Sequence, residues 1–266
     1  MDNGVIKSAD NKTVKYAVHI KTSAKFRRNE GLFFAEGLRL ILDAVKNGQN
    51  IKVLFLSQDT DSNPDIENMK KASEKVITVT AELMKKLCDT VTPQGIAALI
   101  SIPKEKKIPK DFSLLIALER TQDPQNIGAI ARSAEAFGAD GIIISADSCD
   151  PYAPKSLRAG MGAMLRIPVY RVSDFVGTLQ EMKKFGTEVI SSVVSGEKED
   201  IRNLSPRPLR VLVIGNEGSG VSETTREISD KCVTIPMFGR AESLNASAAA
   251  AVLIWECVRG NGYDTY

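Results

Sequence analysis

The chain has 266 residues, 43% of them hydrophobic, enough to bury one large core or two smaller ones. Its formal charge of +2 hides an asymmetry: residues 1–110 hold 19 Lys/Arg against 13 Asp/Glu, and residues 111–266 hold 16 against 20. Cys88, Cys149, Cys232 and Cys257 are too far apart for a C-x-x-C metal pair, His19 is the only histidine, and no apolar run approaches the length of a membrane span. These features argue against a zinc site, a His-based triad, secretion and a membrane protein, and fit a reducing cytoplasm.

The first stretch is basic, with Lys7, Lys12, Lys15, Lys21, Lys25, Arg27 and Arg28 against Asp2 and Asp10. Such a cluster either neutralises a phosphate backbone or forms an ordinary solvated helix face. Strand-like runs at 32–35, 51–57, 76–79 and 95–100 alternate with helical patterns at 37–47, 65–73 and 81–88, with Thr80 placed to cap the last. They predict a small α/β domain over residues 1–102. Residues 103–110 carry two prolines and five charges without apolar periodicity, so a linker is expected at 103–111.

From 112 to 266 near-continuous apolar runs recur at 114–118, 141–145, 168–171, 188–194, 211–214 and 232–235, most of them separated by helical stretches. Runs of that kind suit parallel strands covered on both faces, whose ligands bind beyond the carboxyl ends. Three stretches there carry chemistry.

In the first, Asp123 to Gly138, Pro124 and the Asn126 side chain suit a turn into a helix. Ile127, Ile130, Ala131, Ala134 and Phe137 share its core face, and Arg132, about 140° round from Ile127, points away from it. Arg132 then either meets a ligand, a phosphate or another subunit, or forms a surface pair with Glu135. The second, Gly215-Asn-Glu-Gly-Ser-Gly220, follows a buried strand and lacks both the Lys-Ser/Thr of a P-loop and the Gly-x-Gly-x-x-Gly spacing. Glu217 disfavours a phosphate and favours a cation or a hydroxyl-bearing partner. A plain strand-to-helix turn with Ser222 capping a helix at 223–229 is the other reading. In the third, Ile235 to Glu256, a strand ends near Pro236 and a helix is expected to start near Ser243, with Ser243 and Asn245 as caps and alanines at 246 and 248–251 that permit close packing.

In this order the three stretches closely resemble the motifs of SpoU-type (TrmH family) RNA 2′-O-ribose methyltransferases of the SPOUT superfamily, carried by Asn126, Arg132, Gly215, Glu217, Ser243, Leu244 and Asn245. Residues 3–101 also resemble the ribosomal-protein-like RNA-binding domain often attached to such enzymes, through Lys25-Phe-Arg-Arg28, Phe33-Phe-Ala-Glu-Gly37 and Pro93-Gln-Gly95. The resemblance implies an α/β protein whose C-terminal parallel-sheet domain is a deep trefoil knot. It implies S-adenosylmethionine as methyl donor, a ribose 2′-hydroxyl of RNA as acceptor, no metal, and a cytoplasmic homodimer with sites at the interface. Gly215, Glu217, Ile235, Met237 and Leu244 would line the cofactor pocket, and Asn126, Arg132, Glu217, Ser243 and Asn245 would form the catalytic set. Lys21, Lys25, Arg27 and Arg28 would contact RNA, most simply 23S rRNA. A tRNA substrate, or a non-catalytic RNA-binding or ribosome-assembly protein that keeps the fold, is the alternative.

Overall fold

The computed structural model describes residues 4–194, 198–205 and 207–259. The chain divides into two compact units, the first built on the residues up to 104 together with 152–157, the second on 105–151 and the residues from 158 onward.

The first unit begins with α1 (Lys12–Thr22), whose N-terminal amides at Thr13 and Val14 donate to the Asn11 side chain. α2 (Ala24–Glu30) follows and ends at Gly31, where φ of 63° asks for a residue without a Cβ. Then come β1 (Leu32–Glu36), α3 (Leu38–Lys46), β2 (Ile51–Ser57), α4 (Pro64–Ala72), β3 (Val76–Val79), α5 (Ala81–Leu87) and β4 (Ile96–Ser101). The sheet order is β1-β4-β2-β3, antiparallel except for the β2–β3 pair. Val14, Ala17 and Ile20 of α1 repeat at helical spacing and bury against Phe34, Phe55 and Leu99 of the sheet. Thr80 caps α5 as expected, accepting from the Leu83 amide.

Two of the four cations expected on RNA are engaged inside this unit. Arg27 is 4% exposed and donates through Nη1 to the carbonyls of Ile20 (2.8 Å) and Lys21 (2.7 Å), closing the C-terminal end of α1. Lys21 Nζ donates to the Leu87 carbonyl at the end of α5 (2.7 Å) and pairs with Asp89 (3.0 Å). A cation beside the carbonyl end of a helix is favoured by the helix dipole, which is why the fold recruits these two. Lys25 and Arg28 are left exposed. Arg27→Ala is therefore expected to destabilise the protein by about 2 kcal/mol, since two charge-assisted bonds go at once, whereas Lys25→Ala and Arg28→Ala stay within about 0.5 kcal/mol of the parent. Thermal unfolding of the three full-length variants checks this ranking.

The second unit runs through β5 (Leu114–Leu118), α6 (Pro124–Ala136), β6 (Gly141–Ser145), the last turn of α7 (Pro154–Gly160, of which Arg158 onward falls in this unit), α8 (Ala163–Arg166), β7 (Val169–Val172), α9 (Phe175–Lys184), β8 (Glu188–Ser192), β9 (Glu199–Asp200), β10 (Arg210–Ile214), α10 (Glu223–Ile228), β11 (Lys231–Thr234) and α11 (Ala246–Val258). Seven strands in the order β7-β6-β5-β10-β8-β11-β9 form one sheet, and every described pair is parallel. β5, β6 and β10 are buried along their whole length, their apolar runs interrupted only by Ser145 at the end of β6 and Arg210 at the start of β10. At the amino ends of β8 and β10, Glu188 and Arg210 form a buried ion pair at 2.7 Å. It fixes the register of the two strands, because a slip would separate two buried charges.

Two helix starts differ from expectation. Asp123 caps α6, accepting from the Gln125 amide, while Asn126 lies inside the helix with its side chain turned elsewhere. α11 begins at Ala246, not near Ser243, because Asn245 provides the cap by accepting from the Ser247 amide (2.9 Å).

Candidate active site

β5, β10, β8 and β11 are neighbours in the sheet, so the loops that leave their carboxyl ends converge on one edge, where open parallel sheets bind ligands. A cleft of about 370 Å³ opens there, within the size range of small-molecule sites. Its walls come from Ser192–Val194 at the end of β8, Ile214–Val221 at the end of β10 and in the loop that follows, Ser243 and Leu244 before α11, Ala246 and Ala249 on that helix, and Arg226.

The loop after β10 is shaped by Gly215 and Asn216. A Cβ on Gly215 would lie 2.2 Å from the backbone of Gly220 and Val221, so only glycine lets the chain double back this closely. The turn is closed by reciprocal backbone bonds between Asn216 and Gly220 (3.0 and 2.9 Å), and Asn216 Oδ1 accepts from the amides of Gly218 (2.9 Å) and Ser219 (3.0 Å). The amides of residues 218–220 are thus taken by the loop itself. A phosphate-cradling turn would keep such groups for its ligand, so this loop is built for something other than a polyphosphate.

Glu217 finds its partners in the chain. Its carboxylate accepts from the backbone amides of Gln122 (3.1 Å) and Asp123 (3.1 Å), the open N-terminal end of α6, and from Asn126 Nδ2 (2.9 Å). Partial burial pushes its pKa up, but the bonds from Asn126, Gln122, Glu217's own amide and Asp123 outweigh that and hold the carboxyl below its ordinary range. It is ionised at neutral pH and serves as a clasp between the loops after β5 and β10.

The clasp extends to the third stretch. Asn126 is buried, and its Oδ1 accepts from Asn245 Nδ2 (3.3 Å), while Asn245 Oδ1 accepts from Ser247. The amide orientation of Asn126 follows from this network: turned over, its oxygen would face the Glu217 carboxylate. Ser247, Asn245, Asn126 and Glu217 therefore form one polar chain across all three motifs. Arg120, just past β5, adds a strained turn with φ of 53°, and its carbonyl accepts from Asn216 Nδ2 (2.8 Å) and Gln122 Nε2 (3.2 Å).

Among the expected cofactor residues, Gly215, Glu217 and Leu244 line the cleft, as does Ser243 of the catalytic set. Ile235 is half-buried just past β11 and Met237 is exposed, and neither lines the cleft. Arg132 is exposed on α6, outside the cleft of its own chain, with no hydrogen bond or ion pair among the described residues. The surface pair with Glu135 is not formed, because Glu135 is engaged by Arg166 (Nε to Oε1 3.0 Å). Asn216, Arg226 and the Gln122 and Asp123 amides were not singled out from sequence. An Asn inside a glycine-rich turn is an Asx-turn signal that could have marked the first of them.

The chain matches the SpoU rRNA Methylase family over residues 113–255 and an MRM3-like substrate binding domain over residues 11–98. It is 30% identical over 250 residues to the 23S rRNA (guanosine(2553)-2′-O)-methyltransferase RlmP of Bacillus subtilis (strain 168), covering 94% of this chain and 97% of that protein. Among solved structures it superposes on the AdoMet-bound rRNA methyltransferase from Sinorhizobium meliloti with a TM-score of 0.86 and 27% identity, covering 96% of this chain and 97% of the other. The SpoU methyltransferase AviRb from Streptomyces viridochromogenes in complex with the cofactor AdoMet gives a TM-score of 0.84 at 27% identity, over 94% and 98% of the two chains.

Proposed function

The chain belongs to the SpoU rRNA Methylase family, and on that premise we propose that it methylates a ribose 2′-hydroxyl of 23S rRNA with S-adenosylmethionine as donor. The observation that carries this reading is the cleft at the carboxyl edge of the sheet, whose loops are joined by the Asn245–Asn126–Glu217 chain. The cleft fits the donor: its size suits a nucleoside-scale ligand, and its glycine-rich wall keeps its amides for itself instead of for a phosphate. When bound, the cofactor supplies an electrophilic methyl group.

The residues of the chain then divide the work. Gly215, Glu217 and Leu244 hold the donor side, with Ile235 and Met237 approaching from the loop after β11. Ser243, Asn245 and Asn126 position the ribose and keep the loops in register. Arg132 meets the substrate phosphate and stabilises the developing 2′-alkoxide while the hydroxyl proton passes to water. A guanidinium holds its protons too tightly to act as a base, whereas a fixed, planar cation suits both of those tasks. No described cluster of His, Cys, Asp and Glu could hold a metal ion, and the reading assigns none.

We further propose a homodimer in which Arg132 of one copy serves the cleft of the other. This is supported by Arg132 standing outside its own cleft and by the exposed apolar side chains Val252 and Trp255 on α11, the helix packed beside α6. Light scattering at micromolar concentration should give twice the chain mass, and a monomer that still methylates RNA would contradict the proposal. Residues 1–102 are assigned to RNA binding through Lys25 and Arg28, 103–111 to a linker and 112–266 to chemistry. No described helix is long and apolar enough to cross a membrane, and the reading puts the protein in the cytoplasm with its RNA. Transfer of labelled methyl from S-adenosylmethionine to unmodified 23S rRNA, with ribose resistance to alkaline cleavage at the product site, tests the proposal.

A further inference from the structure

Phe238 lies in the loop between β11 and α11 and is 87% exposed, more than any other described Phe, Tyr or Trp. Full exposure of a phenyl ring gives up the burial that such a side chain ordinarily gains, so the ring contributes almost nothing to the fold. The exposure is also organised. The Arg202 guanidinium stands over one face, 5.8 Å from the ring centroid. That guanidinium is itself held by Asp200, with Nε at 3.0 and 2.9 Å from the two carboxylate oxygens and a further contact through Nη2.

Both residues sit beyond the carboxyl ends of their strands. Asp200 ends β9 opposite Thr234, the last residue of β11, and Arg202 and Phe238 follow within a few residues. They are therefore on the edge of the sheet that carries the cleft, and the same loop goes on to Ser243 and Leu244, which line it. A ring with a fixed cation on one face and solvent on the other has the form of a stacking platform. Flat π-surfaces of this kind hold unpaired nucleobases, and arginine beside them adds to the hold.

We propose that Phe238 stacks an unpaired base of the RNA substrate next to the ribose being methylated, with Arg202 bracing the ring from behind. This rests on the RNA-methylating reading above, and the two can fail separately. Stacking is non-ionic, so it adds affinity without adding to the salt dependence set by phosphate contacts.

The test uses the full-length protein and an unmodified 23S rRNA transcript. Phe238→Ala should raise the KM for the transcript by about 5-fold or more, since base–aromatic stacking contributes roughly 1–3 kcal/mol. The slope of log KM against log salt should not change. Phe238→Trp should restore the parent KM, and the Kd for S-adenosylmethionine should stay within about twofold throughout. An unchanged KM in Phe238→Ala would overturn the proposal. So would a loss confined to S-adenosylmethionine affinity, or a shift of oligomeric state, which would mean that the ring faces the cofactor or a second copy. If the parent binds the transcript without methylating it, the activity proposed above fails, and the ratio of RNA Kd values for Phe238→Ala and parent still decides the role of the ring.

Discussion

Arg132→Ala is expected to lower the single-turnover methylation rate at saturating S-adenosylmethionine by about 100-fold or more, the size of effect seen when a preorganised electrostatic group is removed from an active site. Folding should hardly change, because Arg132 is exposed and makes no hydrogen bond or ion pair among the described residues. Cofactor affinity should persist, since the cleft is built from the loops after β8 and β10 and the start of α11. A folded, cofactor-binding variant with a rate within about threefold of the parent would reject the role, because the corresponding 0.65 kcal/mol or so is too little for such a group. Thermal unfolding on the same preparations separates the two outcomes from simple misfolding.

Gly215→Ala should remove the cofactor site by a different route. The new Cβ would meet Gly220 and Val221 backbone atoms at 2.2 Å, and backbone cannot rotate aside as a flexible side chain can. The turn must open, and Asn216 and Glu217 then lose the positions that hold it to the loop after β5. Calorimetric titration should show affinity for S-adenosylmethionine falling by about 10- to 100-fold, as expected for 1–3 kcal/mol of strain. Gly218→Ala is the control, since a Cβ there meets only Asn216 Oδ1 at 3.6 Å. Equal affinities in the two variants would show that close approach at Gly215 does not shape the cleft.

Much of the fold was legible because strands buried on both faces write themselves as continuous apolar runs. The segments 114–118 and 141–145 match the observed strands residue for residue, and so do 51–57 and 76–79, although buried and half-buried residues alternate along the last. What pattern could not supply was the destination of polar side chains. Arg27 reads as one more exposed cation beside Lys25 and Arg28, and only the return of α2 onto the end of α1 buries it on two carbonyls. Asn126 reads as a cap, but Asp123, three residues earlier, does that work and frees Asn126 for Glu217, 91 positions away. Glu217 itself looked like an invitation to a cation or hydroxyl. Its partners are amides brought beside it by the pairing of β5 with β10, a long-range contact that no local spacing encodes. The resemblance to the SpoU motifs named Asn126, Glu217 and Asn245 of this network, and the fold brings these three into hydrogen-bond contact.

The clasped cleft is proposed to carry out ribose methylation of ribosomal RNA. The most direct test is to map 2′-O-methyl groups in 23S rRNA from a strain lacking the protein and then to incubate that RNA with the purified chain and S-adenosylmethionine. One ribose should be unmethylated in the deletion strain, become resistant to alkaline cleavage after incubation with the parent protein, and stay sensitive with Arg132→Ala. A full complement of rRNA methyl groups in the deletion strain, together with no methyl transfer to any rRNA by the purified chain, would contradict it.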